Sequence, residues 1–139
     1  MDAKVEWKMG LSFEGSADSG FKLPLGTARS EGGLDDGFRP MELLLVGLAG
    51  CTSMDVISIM KKKQQEVTAF QVKVHADRAP EHPRIFTSIE LEYRLTGRNL
   101  DPVAAERSVE LSETKYCPAI AMLRKAVDIK TKITLLQAD

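Results

Sequence analysis

The chain has two cysteines, and each occupies a position where a thiol could react. Cys51 lies in an apolar segment that begins near Arg39 and is typical of a buried helix. Cys117 stands directly before Pro118, which predicts a helix N-cap, where unpaired N–H groups and the helix dipole favour a thiolate. Paired redox chemistry is one interpretation of the two thiols. Packing is the other, since a lone cysteine on an apolar helix often serves as a small hydrophobic residue.

Cys51 would need a cation from elsewhere in the fold to become reactive. A position in the middle of a helix lacks the positive dipole end, and Asp55, one turn later, would oppose a thiolate. The candidate cations are Arg29, Arg39 and the lysines at 61–63. Asp55 is itself a candidate acid, or else a structural carboxylate that bonds an arginine or a backbone group.

The spacing of apolar residues predicts strands alternating with proline-led helices. Strands are predicted near residues 5–9, 11–14, 21–25, 70–76, 85–96 and 129–135, and helices near 40–63, 102–115 and 118–127. The order βββ-α-ββ-αα-β predicts a single α+β domain over residues 1–139 with antiparallel strands. Pro24 predicts that the third strand lies at a sheet edge.

The first predicted helix is apolar on every side, so it must be covered all round. One small sheet covers only one side, and Gly47 and Gly50 would let another backbone approach, so we expect a homodimer. The stretch from Leu43 to Met60 barely reaches membrane-spanning length and is interrupted by Asp55 and by small polar residues. A core helix is therefore favoured over a membrane span.

Composition excludes several classes of partner. A net charge of -1 gives no basis for nucleic-acid binding, which needs clustered Lys and Arg. The N-terminal residues lack the apolar run of a signal peptide, so we expect a cytoplasmic protein, in which a persistent structural disulfide is uncommon. Neither His75 nor His82 has metal-ligand spacing to a cysteine, and no glycine-rich phosphate loop occurs, so no metal or cofactor is predicted.

At these residues the chain resembles the OsmC/Ohr family, the osmotically inducible and organic hydroperoxide resistance proteins. The resemblance covers nearly the whole chain: the N-terminal strands, the helix that leads to Ala49-Gly50-Cys51, the two-strand hairpin, and Cys117-Pro118 opening a late helix. The residues at 41–45, Asp55 and the lysine run are similar to the less characterised OsmC-like branch.

The resemblance implies an OsmC-like fold, an intertwined homodimer and a thiol peroxidase that reduces organic hydroperoxides. It assigns Cys51 as the peroxidatic cysteine, Cys117 as the resolving cysteine and Arg29 as the arginine that faces the reactive thiol. A dithiol of the lipoyl type is the implied reductant, with no metal or organic cofactor.

The chain departs from the family pattern at the acid that orients this arginine. The family acid follows the proline of the helix start, where this chain has Met41, and Glu42 comes one place later. One step along a helix turns a side chain by about 100°, so Glu42 is displaced from the arginine. Asp55 is the other candidate carboxylate, and Arg39 the other candidate arginine.

Two other functions fit the predicted fold. One is a non-catalytic protein that binds a small molecule in an apolar pocket at the dimer interface. The other is a hotdog-like acyl thioesterase with Asp55 as base. The Cys117-Pro118 element and the two late helices count against the thioesterase.

Overall fold

The computed structural model describes all 139 residues and has the predicted order of elements, βββ-α-ββ-αα-β. The α+β class is therefore confirmed. The strands β1 to β6 span Ala3–Met9, Ser12–Ala17, Lys22–Leu25, Glu66–Arg78, Phe86–Arg98 and Ile129–Gln137. The helices α1, α2 and α3 span Pro40–Lys62, Pro102–Leu111 and Pro118–Leu123.

The chain divides into two compact units, Met1–Leu45 and Val46–Asp139. The first unit contains an antiparallel sheet in the order β1-β2-β3. Pro24 lies in β3, at an edge of this sheet, as predicted. A proline is tolerated there because an edge strand leaves N–H positions that need no partner strand.

The second unit is built on the sheet β4-β5-β6. The strands β4 and β5 form a long antiparallel hairpin, and alternate residues of β5 point into the core. The side chains of Ile89, Leu91, Tyr93 and Leu95 are almost completely buried. This strict alternation is the period of a strand with one buried face. The buried face of β5 forms part of the core of the second unit.

The prediction of uniformly antiparallel strands is wrong for the last pair. β6 runs parallel to β5, with Ile89 opposite Ile129 and Leu95 opposite Leu135. Parallel neighbours need a crossover connection, and α2 and α3 provide it. The strands also form two three-stranded sheets rather than one.

Within the single chain, α1 buries one narrow stripe. The buried residues recur every fourth position: Leu48, Thr52, Val56 and Met60. Its other large apolar side chains remain accessible, including Met54 at 73%. With a mean hydropathy of 1.9 over its most apolar window, α1 is long and apolar enough to cross a membrane, a test that core helices of globular proteins also pass.

The two late helices are shorter than predicted. α2 ends at Leu111 instead of running to Lys115, and a π-helical turn, Ser112–Tyr116, follows it. Cys117 is extended, with φ -79° and ψ 106°, because the residue before a proline is pushed out of the helical region. α3 then ends at Leu123 rather than Val127.

Candidate functional site

Cys51 is held on α1 beside the buried stripe. Its side chain is half-buried, whereas the next residue, Thr52, is completely buried. The Thr52 hydroxyl lies 2.8 Å from the Tyr93 hydroxyl on β5 and 2.8 Å from the Ser112 hydroxyl. These contacts fix the rotation of α1 about its axis, and so fix where Cys51 points.

Cys117 lies at the N-cap of α3, as the sequence predicts. Its sulfur accepts a hydrogen bond from the Ile120 N–H at 3.4 Å, and its own N–H donates to the Ser112 carbonyl at 2.8 Å. The residue is only 2% exposed. The π-helical turn and the cap together hold this thiol from both sides.

The two cysteines lie close together in the second unit. Both are free thiols, and the Cys51 side chain is near enough to Cys117 to raise the pKa of that thiol. Burial raises the pKa of Cys117 to about 11, and the nearby Cys51 adds a smaller increase. The backbone N–H groups of Ile120 and Ala119 lower the pKa, in the direction expected for an N-cap, but desolvation outweighs them.

A chain of buried hydroxyl groups runs beside the thiol pair, and we call it the hydroxyl chain. It consists of the hydroxyl groups of Tyr93, Thr52 and Ser112 and ends at the half-buried carboxylate of Asp55. The last link is a hydrogen bond of 2.9 Å from the Ser112 hydroxyl to Asp55 Oδ2. Burial raises the pKa of Tyr93 to about 12, so this hydroxyl keeps its proton and acts as a donor.

Asp55 thus has a partner that the sequence did not suggest. Its carboxylate bonds the Ser112 hydroxyl rather than an arginine or a backbone group. Asp55 also lines a cleft of about 310 Å³, together with Lys62, Leu111 and Tyr116. One side of the carboxylate therefore faces a space that a small molecule could enter.

Arg29 lies in the first unit, on a 3₁₀ turn, Arg29–Glu31. Its side chain is 79% exposed, and its Nε lies 3.8 Å from Asp35 Oδ2. The turn is closed by a hydrogen bond from the Gly33 N–H to the Ala28 carbonyl. Position 33 requires glycine because a Cβ there would lie 2.1 Å from the Thr27 carbonyl oxygen.

Asp35 binds both candidate arginines. The Arg39 guanidinium donates to Asp35 Oδ1 and, at 2.9 Å, to the Gly37 carbonyl. Glu42 contacts neither guanidinium, and its carboxylate instead accepts the Arg39 backbone N–H at 3.0 Å, at the start of α1. The acid that holds the arginines in this chain is therefore Asp35.

The predicted site residues fall into two groups. The structure brings Cys51 and Cys117 close together and places Asp55 at the end of the adjoining hydroxyl chain, all in the second unit. Arg29 and Glu42 belong to the first unit and do not contact each other.

Sequence reasoning missed Asp35, Thr52, Tyr93, Ser112 and Glu113. Only Asp35 carries a sequence signal, since it lies four residues before Arg39 and six after Arg29. Glu113, in the π-helical turn, has a buried Oε1 without a hydrogen-bond partner.

A family model described as OsmC-like protein matches residues 33–132 of the chain. Protein YhfA of Escherichia coli (strain K12) is 41% identical over 129 residues, which cover 93% of this chain and 93% of that protein. These matches include both cysteine positions of the candidate site.

Solved structures share the same fold. A hypothetical protein from Aquifex aeolicus VF5 is 29% identical, with a TM-score of 0.86, and the match covers 99% of this chain and 97% of that chain. The organic hydroperoxide resistance protein OhrB of Bacillus subtilis is 20% identical, with a TM-score of 0.65 and coverage of 96% and 98%. The second likeness shows the fold alone.

Proposed function

The chain belongs to the OsmC-like protein family, and on that premise we propose that it is a thiol-dependent peroxidase that reduces organic hydroperoxides. The observation that carries the proposal is that the free thiols of Cys51 and Cys117 lie close together within one compact unit. Thiols that are close in the reduced protein need little backbone movement to reach disulfide geometry. Similar structures named for organic hydroperoxide resistance support the choice of substrate.

Cys51 is the residue proposed to attack the peroxide. The raised pKa of Cys117 leaves that thiol protonated at neutral pH, so the attacking thiolate has to come from Cys51. The Cys51 sulfur attacks the terminal oxygen of the hydroperoxide, and the O–O bond breaks. Cys51 is oxidised to a sulfenic acid, and the alkoxide leaves as an alcohol after it takes a proton from water.

Cys117 is the residue proposed to resolve this intermediate. Its sulfur loses a proton, attacks the Cys51 sulfur and displaces hydroxide, which takes the proton and leaves as water. The product is a Cys51–Cys117 disulfide. A dithiol reductant, of the lipoyl type, restores both thiols through a mixed disulfide and becomes a disulfide itself.

Arg29 is the cation proposed to favour the Cys51 thiolate, with Arg39 as the alternative. Their shared partner Asp35 supports a common function, because it holds both guanidinium groups on one short segment. Glu42 supports this site by fixing the start of α1 through its bond to Arg39. Asp55 is proposed as a further acid of the thiol site, held within the second unit by the Ser112 hydroxyl.

The working protein is proposed to be a cytoplasmic homodimer. The face of α1 that carries Gly47 and Gly50 is uncovered in the single chain, because a Cβ at either position would meet no atom within 4 Å. This open face of α1 supports a second subunit. A reducing compartment suits a catalytic disulfide that has to be reopened after each turnover.

The proposal is tested by treating the purified protein with cumene hydroperoxide and counting free thiols. We expect both thiols to disappear in the wild type. Cys51→Ser should abolish peroxide consumption, while Cys117→Ser should leave a sulfenic acid that a dimedone probe traps after one turnover. Retention of both thiols in the wild type would favour a non-catalytic binding protein that uses the cleft beside Asp55.

A further inference from the structure

Ser112 is the one residue whose groups connect both cysteine-bearing elements. Its hydroxyl bonds Thr52 at 2.8 Å and Asp55 at 2.9 Å, and these two residues follow Cys51 on α1, one position and one turn later. Its carbonyl accepts the Cys117 N–H at 2.8 Å. The residue has no exposed surface, so water cannot replace any of these bonds.

The hydrogen bonds of the hydroxyl chain have a single direction. The Ser112 hydroxyl donates its single proton to Asp55 Oδ2. Ser112 must then accept from Thr52, and Thr52 must accept from Tyr93. If any one of these hydrogen bonds reversed its direction, two acceptor oxygens in the chain would face each other with no hydrogen between them. The chain is therefore more rigid than separate hydrogen bonds would be.

The π-helical turn makes this connection possible. It places the Ser112 carbonyl under the Cys117 N–H, five residues later, while the Ser112 side chain still faces α1. Such turns are rare and are frequently found at functional sites. In a continued α-helix, the Cys117 N–H would seek residue 113 instead.

We propose that Ser112 is a positioning residue that sets the distance and orientation of the Cys117 thiol relative to Cys51, and thereby the ease of disulfide formation. The inference deepens the proposed peroxidase function and rests on it for its biological meaning. No hydrogen bond joins Ser112 to either reacting sulfur. It acts through the Cys117 backbone and through α1.

The chain supplies a matched control. Ser108 is one turn earlier on α2, is equally buried, and donates only to the Ala104 carbonyl of its own helix, at 2.7 Å. Ser108→Ala removes the same hydroxyl from a similar site without touching the connection to α1. Thr52→Val is a second test variant that preserves the shape of the side chain and removes the two links that the Thr52 hydroxyl makes, to Tyr93 and to Ser112, while the bond from Ser112 to Asp55 remains.

The experiment measures the thiol–disulfide equilibrium of each variant in buffers of reduced and oxidised dithiothreitol, followed by thiol counting. We expect Ser112→Ala to weaken the disulfide about tenfold, as for one buried hydrogen bond lost, which is a rise of about 30 mV in reduction potential. Thr52→Val should shift it in the same direction by less, and Ser108→Ala should match the wild type.

A second arm follows the two steps with cumene hydroperoxide. In Ser112→Ala, cumene hydroperoxide should oxidise Cys51 at the wild-type rate, but the sulfenic acid should accumulate because disulfide formation is slower. A variant that simply failed to fold would not show this combination of rates. Equal potentials for Ser112→Ala and Ser108→Ala would overturn the inference. If Ser112→Ala does not fold, an unchanged potential in Thr52→Val overturns it instead.

The two proposals fail in different ways. If the wild-type disulfide forms in the dithiothreitol buffer but not with cumene hydroperoxide, the peroxidase function is refuted. The reduction potentials of Ser112→Ala and Ser108→Ala would still decide whether Ser112 positions the Cys117 thiol. A wild type that forms no intramolecular disulfide in either arm would overturn the positioning role as well.

Discussion

At the scale of single residues, the proton on Cys117 controls the second step of the proposed reaction. A pKa raised to about 11 means that the thiolate fraction is small at neutral pH and grows about tenfold with each pH unit below that value. We therefore expect disulfide formation to accelerate as the pH rises. Stopped-flow measurement of sulfenic acid decay after a single turnover, over a few pH units around neutrality, checks this.

Cys51 oxidation serves as the internal control for this prediction, because it precedes the Cys117 step and is measured in the same traces. A sulfenic acid decay that does not change with pH would contradict the prediction. It would mean that a fixed base, such as the half-buried Glu113 with its unpaired Oε1, takes the Cys117 proton.

The arginine that favours the Cys51 thiolate can be identified by alkylation. In a Cys117→Ser background, we expect Arg29→Met to slow the reaction of Cys51 with iodoacetamide at neutral pH about tenfold. A neighbouring cation favours ionisation of an acid by about one pH unit or more. Asp35→Asn should slow alkylation less, since it loosens both arginines without removing either. Rates measured against pH separate lost ionisation from lost access.

Arg39→Met is the matched comparison, because both guanidinium groups bind Asp35. If only Arg39→Met slows alkylation, the role moves to Arg39. Asp55→Asn distinguishes two effects of that acid. Faster alkylation would mean that its charge opposes the thiolate, and slower alkylation would mean that it helps to orient the arginine.

At the scale of elements, the sequence predicts most of the fold because its signals are local. Pro40, Pro102 and Pro118 mark helix starts, and Asp101 caps α2 by accepting the Val103 N–H at 2.9 Å. The alternation of Ile89 to Leu95 identifies a strand with one buried face. Each of these depends on neighbours within a few residues, so periodicity is enough to find them.

The features that the sequence does not reveal are set by contacts between distant residues. The parallel pairing of β5 with β6 joins segments about forty residues apart, from Ile89 to Ile129. The bond from Ser112 to Asp55 spans 57 positions, and Ser112 is an unremarkable serine in the sequence. The N-cap of Cys117 was predictable, but its raised pKa was not, because burial is a property of the packed unit.

At the scale of the whole molecule, the single chain leaves much apolar surface in water. Trp7 on β1 is 66% exposed, and Val46 and Met54 on α1 are 56% and 73% exposed. Apolar surface contributes about 25 cal/mol per Å² when it is buried, so exposed apolar side chains on α1 favour a partner that covers them. A second copy of the chain is the partner proposed to cover α1.

We expect sedimentation at micromolar concentration to give a dimer for the wild type. Met54→Glu should shift the protein towards monomer, because a carboxylate in an apolar interface loses its hydration without gaining a partner. Val103→Glu is the control, since Val103 is 70% exposed on α2 and stands outside the open face of α1. The monomeric fraction should also show looser structure, because the face of α1 that carries Gly47 has nothing else to cover it. A wild-type chain that sediments as a stable, fully folded monomer would refute the dimer. It would also refute the inference that α1 is apolar on every side because a second subunit covers it.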